Sequence, residues 1–203
     1  MTFITRRHLL LGGGAVALGM LKQTKALAAL TDQVPPRPAL LQQALSALER
    51  HQATIKHRDA IGIVDFSQPS RVPRFHIVDV MSGRCDSLLV AHGRGSDPDH
   101  SGWVERFSNS PGSEASSAGA YLVGTGYCGK HGRSQRLIGP DAGNSNAEAR
   151  AIVIHAASYV SDDIVRASGK IGRSEGCFAV AQADIIHVLE RFGPGRMIYA
   201  GKI

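Results

Sequence analysis

The chain has 203 residues, with 23 Lys and Arg against 17 Asp and Glu, a formal net charge of +6 and three cysteines. This is a one-domain length able to bury a real hydrophobic core. The basic residues are scattered rather than gathered into a stripe with interleaved aromatics, which argues against nucleic-acid binding.

Residues 1–28 read as an export signal. Arg6 and Arg7 precede a mildly hydrophobic core containing Gly12, Gly13 and Gly14, and Lys22 and Lys25 follow it. That arrangement points to a twin-arginine signal, ending at Ala26-Leu27-Ala28. The apolar run over residues 9–21 has 13 residues, short of the roughly 20 that span a bilayer. The expectation is an exported, periplasmic or wall-associated protein with no stable membrane insertion after cleavage. The segment carries four positive charges and no acid, so its removal leaves the formal charge at +2. Gly12 to Gly14 have no Gly-Lys-Ser/Thr after them and do not make a phosphate loop.

Residues 29–38, with Pro35, Pro36 and Pro38, suit an extended leader. From 39 to 57 Leu41, Leu45, Leu48 and Ile55 share one helical face, which predicts an amphipathic helix within a segment 39–60. Beyond it, residues 61–203 form the expected main domain. Runs at 61–66, 74–80 and 87–91, divided by turn residues, predict an antiparallel meander. Residues 92–117 are rich in Gly, Ser, Asp and Asn, and so long a loop is expected to border a functional site. Strand signals return at 120–127, 136–138 and 151–155, followed by a helix at about 183–192 and a strand at 197–200. The sum is α+β, a β-rich core of mixed sheets, barrel-like and closed or nearly closed, with flanking helices.

Cys85, Cys128 and Cys177 are an odd number for an exported chain, so at least one stays free or pairs outside it. A Cys85–Cys128 disulfide and three reduced thiols are both compatible with the spacing. No close His or Cys pair has zinc-ligand spacing, and neither metal nor cofactor is expected. A free cysteine alone is more often packing than nucleophile. Cys177, however, follows Ser174-Glu175-Gly176, and His155 stands 22 residues upstream at the end of the β-type run Ala151-Ile152-Val153-Ile154. A thiol needs a neighbouring base to react as thiolate, and an imidazole can take its proton and return it to a leaving amine. Gly176 lets the chain turn tightly and leaves backbone N–H groups free to aim at a developing oxyanion.

These residues resemble the L,D-transpeptidases with the YkuD-type catalytic domain, whose signature is a histidine, a variable loop, then Ser/Thr-His-Gly-Cys. Glu175 stands where the larger family has the second histidine. The likeness is closer to a bacterial branch described as murein L,D-transpeptidase catalytic domain proteins, and extends to His92-Gly93-Arg94-Gly95-Ser96, residues 116–121, Tyr127-Cys128-Gly129-Lys130-His131-Gly132-Arg133-Ser134, residues 146–150 and Gly172-Arg173-Ser174. The resemblance implies a cysteine acyltransferase acting on peptidoglycan stem peptides as a monomer. Cys177 would be the nucleophile and His155 the base, oriented by a backbone carbonyl at about Ala156. Arg173, Ser174 and Gly176 would lie on the substrate or oxyanion side, and His131 and Tyr121 would form the cleft wall. Hydrolysis of the same thioester, as in an L,D-carboxypeptidase or amidase, and a non-catalytic wall-binding module are the alternatives.

Overall fold

The computed structural model describes residues 35–203; the export signal expected over 1–28 lies outside the described residues. Helix α1, Pro38–Arg50, begins on a proline, whose missing N–H is no loss in a first turn. Its buried side chains are Leu40, Ala44, Ala47 and Leu48, a helical i, i+4, i+7, i+8 set. Leu45, expected in the apolar stripe, is 41% exposed. The small Ala44 and Ala47 instead let α1 lie close to the sheet, where Leu40 and Leu48 join Ile61, Ile63 and Met197. The helix ends seven residues before the expected 57. There the chain turns and ties itself to Gly195, whose carbonyl accepts from the Lys56 and His57 N–H groups at 2.9 and 3.1 Å.

Strands β1 (Ala60–Asp65), β2 (Phe75–Asp79) and β3 (Cys85–Leu88) form the expected antiparallel meander. All six residues of β1 are buried, because Ile61 and Ile63 face α1 while Val64 faces the main core. That explains why this strand reads as a continuous apolar run rather than an alternating one. The chain then forms β4 (Val90–Ala91), the hairpin β5 (Gly119–Gly129) and β6 (Gly132–Ile138), and β7 (Val153–Ala156). Helix α2 (Asp162–Ser168), β8 (Phe178–Val180), helix α3 (Ile185–Arg191) and β9 (Met197–Gly201) complete the described residues. Among them no helix is long and apolar enough to cross a membrane.

The nine strands make one mixed sheet in the order β3-β2-β1-β9-β5-β6-β7-β8-β4. It is not closed into a barrel, which corrects the expectation of a closed or nearly closed core. The two edges, β3 and β4, are joined through Leu89 alone. One residue cannot reverse the chain, since even the tightest common hairpin needs a two-residue loop, so these edges cannot pair with each other. The run expected as one strand over 87–91 is thus two short strands serving opposite edges. The main core gathers Phe66, Phe75, Tyr121, Phe178, Phe192 and Ile198 with Ile185 and Val188 of α3.

Candidate active site

Strands β7 and β8 run parallel, with His155 opposite Ala179 and Ile154 opposite Phe178. Cys177 precedes β8 by one residue. The register therefore sets the β7 position of His155 beside the start of β8, two residues after Cys177.

His155 is anchored through its ring Nδ1, 2.9 Å from the Ala156 carbonyl oxygen. A carbonyl can only accept, so Nδ1 carries the hydrogen and Nε2 is left with its lone pair in the neutral ring. Burial holds the His155 pKa below its ordinary value; the Ala156 hydrogen bond opposes this, and the charges of His131 and Lys130 add to it. The imidazole is therefore a free base at neutral pH.

The Cys177 thiol is half-buried and donates to the Ala151 carbonyl at 3.6 Å. Burial pushes its pKa up, and the nearby Glu175 carboxylate adds to that. The Val153 N–H and the charges of Lys130 and Arg150 work against it. The resting pair is thus a neutral thiol and a neutral imidazole, not an ion pair.

The turn before Cys177 is held by side-chain and backbone bonds. Ser174 Oγ donates to the Cys177 carbonyl at 2.7 Å and accepts from the Gly176 N–H at 3.2 Å. The Gly176 N–H is therefore spent inside the turn and is not one of the backbone N–H groups left free, and Ser174 is a buried turn brace. Gly176 has φ +111°, and a Cβ there would sit 2.8 Å from the Ala115 carbonyl oxygen and 2.9 Å from Ile152 Cδ1; only glycine fits.

Beneath the turn lies a buried polar chain that sequence reading did not single out. Arg74, wholly buried, donates to His92 Nδ1 at 2.7 Å and to the Val90 carbonyl at 3.0 and 3.1 Å. His92 Nε2 must then carry the hydrogen, and it meets Asp97 Oδ2 at 3.1 Å. The His92 carbonyl accepts from the Ser174 N–H at 2.9 Å, so the chain reaches the nucleophile turn. Burial, followed by the Arg74 charge, lowers the His92 pKa to about 4.

A cleft opens beside His155, lined by Arg94, Lys130, His131, Tyr159, Arg173, Ser174 and Glu175. His131 belongs to the cleft as expected, and its ring stacks on that of His155, with centroids 4.2 Å apart and planes 22° apart. Tyr121 does not wall the cleft. It is fully buried, sits edge-on to Phe178 at 5.1 Å and donates to the Ser117 carbonyl at 2.9 Å, because its ring is needed to fill the core under β8. Arg173 is tied to the Asp97 and Pro98 carbonyls. Arg94 is clamped by Glu114, with Nε to Oε2 at 2.5 Å, and meets Glu175 at 3.3 Å. Among the described residues neither Lys130 nor Arg173 has a carboxylate partner, so both leave positive charge on the cleft. Arg150, half-buried, bonds the Ser108 and Ala115 carbonyls and Ser117 Oγ at 2.8, 2.5 and 2.8 Å, pinning the 92–117 loop to the site.

Tyr159, Lys130 and Arg150 were missed as individuals, although Lys130 and Arg150 lie inside the motif strings noted in the sequence. The three cysteines are unpaired: Cys85 is buried in β3 and Cys128 is exposed on β5. Three strands separate these two in the sheet, which rules out the Cys85–Cys128 disulfide.

Residues 34–200 match the model of the L,D-transpeptidase catalytic domain family. None of the curated proteins compared with the chain matches it. Solved structures similar to it include an L,D-transpeptidase from Mycobacterium smegmatis, at 11% identity and TM-score 0.42, with 70% of this chain and 58% of that one covered. L,D-transpeptidase 3 from Mycobacterium tuberculosis gives 11% identity and TM-score 0.43, covering 70% and 61%. The helical cell shape determining protein Pgp2 from Campylobacter jejuni gives 12% and 0.46, covering 82% and 57%. The chain thus spans about three fifths of the length of these proteins. On the match over residues 34–200, the chain belongs to the L,D-transpeptidase catalytic domain family.

Proposed function

We propose that the protein is an L,D-transpeptidase that acts outside the cytoplasm on peptidoglycan stem peptides through a thioester on Cys177. The reaction requires the Cys177 thiol to turn from the Ala151 carbonyl towards His155 Nε2, an alignment of the kind that often tightens only with substrate bound. The sulfur attacks the carbonyl at the L-centre of a donor tetrapeptide while Nε2 takes the thiol proton. The same proton passes to the amine of the departing D-alanine, and the C–N bond breaks to leave the thioester. An acceptor amine then attacks that carbonyl and gives its proton to Nε2; the C–S bond breaks and the thiolate regains the proton. The neutral resting pair fits a route in which the thiol is deprotonated only as it attacks. Lys130 and Arg173 suit a substrate rich in carboxylates.

What supports this reading is the parallel β7–β8 register, which pairs His155 with Ala179, two residues after Cys177, together with an imidazole whose Nδ1 is committed to Ala156. The test is incubation of the purified protein with disaccharide tetrapeptide and mass analysis of products. Cross-linked dimer with free D-alanine is expected; tripeptide without dimer would mean hydrolysis instead. Cys177→Ala is expected to abolish both products, and His155→Ala to slow acylation by about 10²-fold or more. Full activity in Cys177→Ala would overturn the mechanism.

A further inference from the structure

The β5–β6 hairpin closes at Lys130 and His131, between the paired residues Gly129 and Gly132. Gly132, which leaves the turn, has φ +73°, a left-handed conformation that glycine adopts without strain. An exposed histidine on such a tip would ordinarily be solvated. His131 instead lies nearly flat on the His155 ring at 4.2 Å between centroids. The hydrogen bond to Ala156 fixes how the His155 ring is turned within its plane, and the stack fixes the plane itself. We propose that His131 is a positioning residue of the reaction: the hairpin tip clamps the His155 imidazole so that Nε2 stays aimed at Cys177, and it keeps that imidazole the free base of the pair. The inference rests on the reading of His155 as base.

The electrostatic part follows from the distance. Two imidazolium rings 4.2 Å apart repel strongly in a half-desolvated site, so the pair holds one proton far more readily than two. His155 is buried, and positive charge on the exposed His131 further disfavours its protonated form. Other groups face the same ring from each neighbouring element. Lys130 comes from the same turn, Arg173 and Glu175 from the segment before β8, Tyr159 from the segment after β7, and Arg94 from the one after β4. Lys130 acts on His155 in the same direction as His131, so its effect is held constant in the test.

The test compares wild type, His131→Ala and His131→Phe, for kcat, KM and the pH dependence of kcat/KM on a tetrapeptide donor. His131→Ala should lower kcat roughly ten-fold through lost orientation, with KM changed less than about two-fold. His131→Phe, which restores a flat ring without a charge, should recover most of that kcat. In both variants the acid limb of the profile should move to higher pH, by roughly half a unit or more. NMR titration of the His155 ring in the same three proteins should show the same rise without any substrate, so the inference is testable even if the proposed activity fails. Unchanged kcat and an unchanged His155 titration in both variants would overturn it. A rise in KM alone would also overturn it, making His131 a substrate wall.

Discussion

At the scale of single residues, the surroundings of Cys177 disfavour charge on its sulfur. Glu175 lies close enough to Cys177 to raise its pKa, and its other contact is Arg94 at 3.3 Å. Replacing Glu175 with Gln removes that repulsion and leaves Arg94 less compensated, and both changes favour thiolate. Alkylation of Cys177 by iodoacetamide at pH 7 should therefore speed up several-fold in Glu175→Gln. An equal or slower rate would show that Glu175 does not govern the thiol. Gly176→Ala meets both a positive φ and a backbone oxygen at 2.8 Å. It should cost on the order of 1–3 kcal/mol of stability and displace the turn that carries the sulfur, with loss of acylation. Of these residues, Cys177 and His155 were singled out in the sequence because their chemistry suits a pair. The commitment of the Gly176 N–H to Ser174 was not, because it depends on where a side chain three residues from Cys177 folds back.

Among the elements, α1 is attached to the sheet mainly by Leu40 and Leu48 over β1 and β9. Leu40→Ala should lower stability by about 2–5 kcal/mol, seen as a lower denaturation midpoint, while leaving the dimer-to-tripeptide product ratio unchanged because the helix packs away from the cleft residues. A changed product ratio would mean that α1 acts on the site. Strands β1, β2, β5 and β9 were readable from their apolar runs. The two-residue β4 and three-residue β8 were too short to show a period. Helix α2 was missed for a different reason: it buries no side chain, so it has no apolar stripe. Its ends were nonetheless marked, by Ser161 accepting from the Ile164 N–H at 3.3 Å, by Asp162 and Asp163 in the first turn, and by Gly169 at φ +72°. Capping signals can reveal a helix that hydropathy hides.

For the whole molecule, the Arg74–His92–Asp97 chain makes folding sensitive to pH well above the carboxylate range. The His92 pKa falls from an ordinary 6.5 when unfolded to about 4 when folded, so the unfolded chain binds the extra proton. The contribution is fully present above about pH 6.5 and is lost as pH falls towards 4. Protonation at Nδ1 would set an N–H against the Arg74 guanidinium, which has no other way to turn. Between pH 7 and pH 5 the loss should be on the order of 2 kcal/mol, a fall in Tm of roughly 4–8 °C for a domain of this size. His155, also lowered, adds in the same direction. A Tm that is flat over this interval would contradict the buried neutral His92.

The local pattern of this sequence determined most strands and helices α1 and α3, and it singled out a thiol and an imidazole whose chemistry suits a pair. Those features depend on side-chain types at spacings of a few residues, which the chain carries wherever it folds. The tertiary structure alone decided that β7 pairs parallel with β8, that β3 and β4 take opposite edges of an open sheet, that Arg74 is buried under the nucleophile turn, and that a hairpin tip lays His131 on His155. Each of these joins segments far apart in sequence, and such pairings are set by which hydrogen-bond edges and apolar faces remain to be covered once every other element is in place.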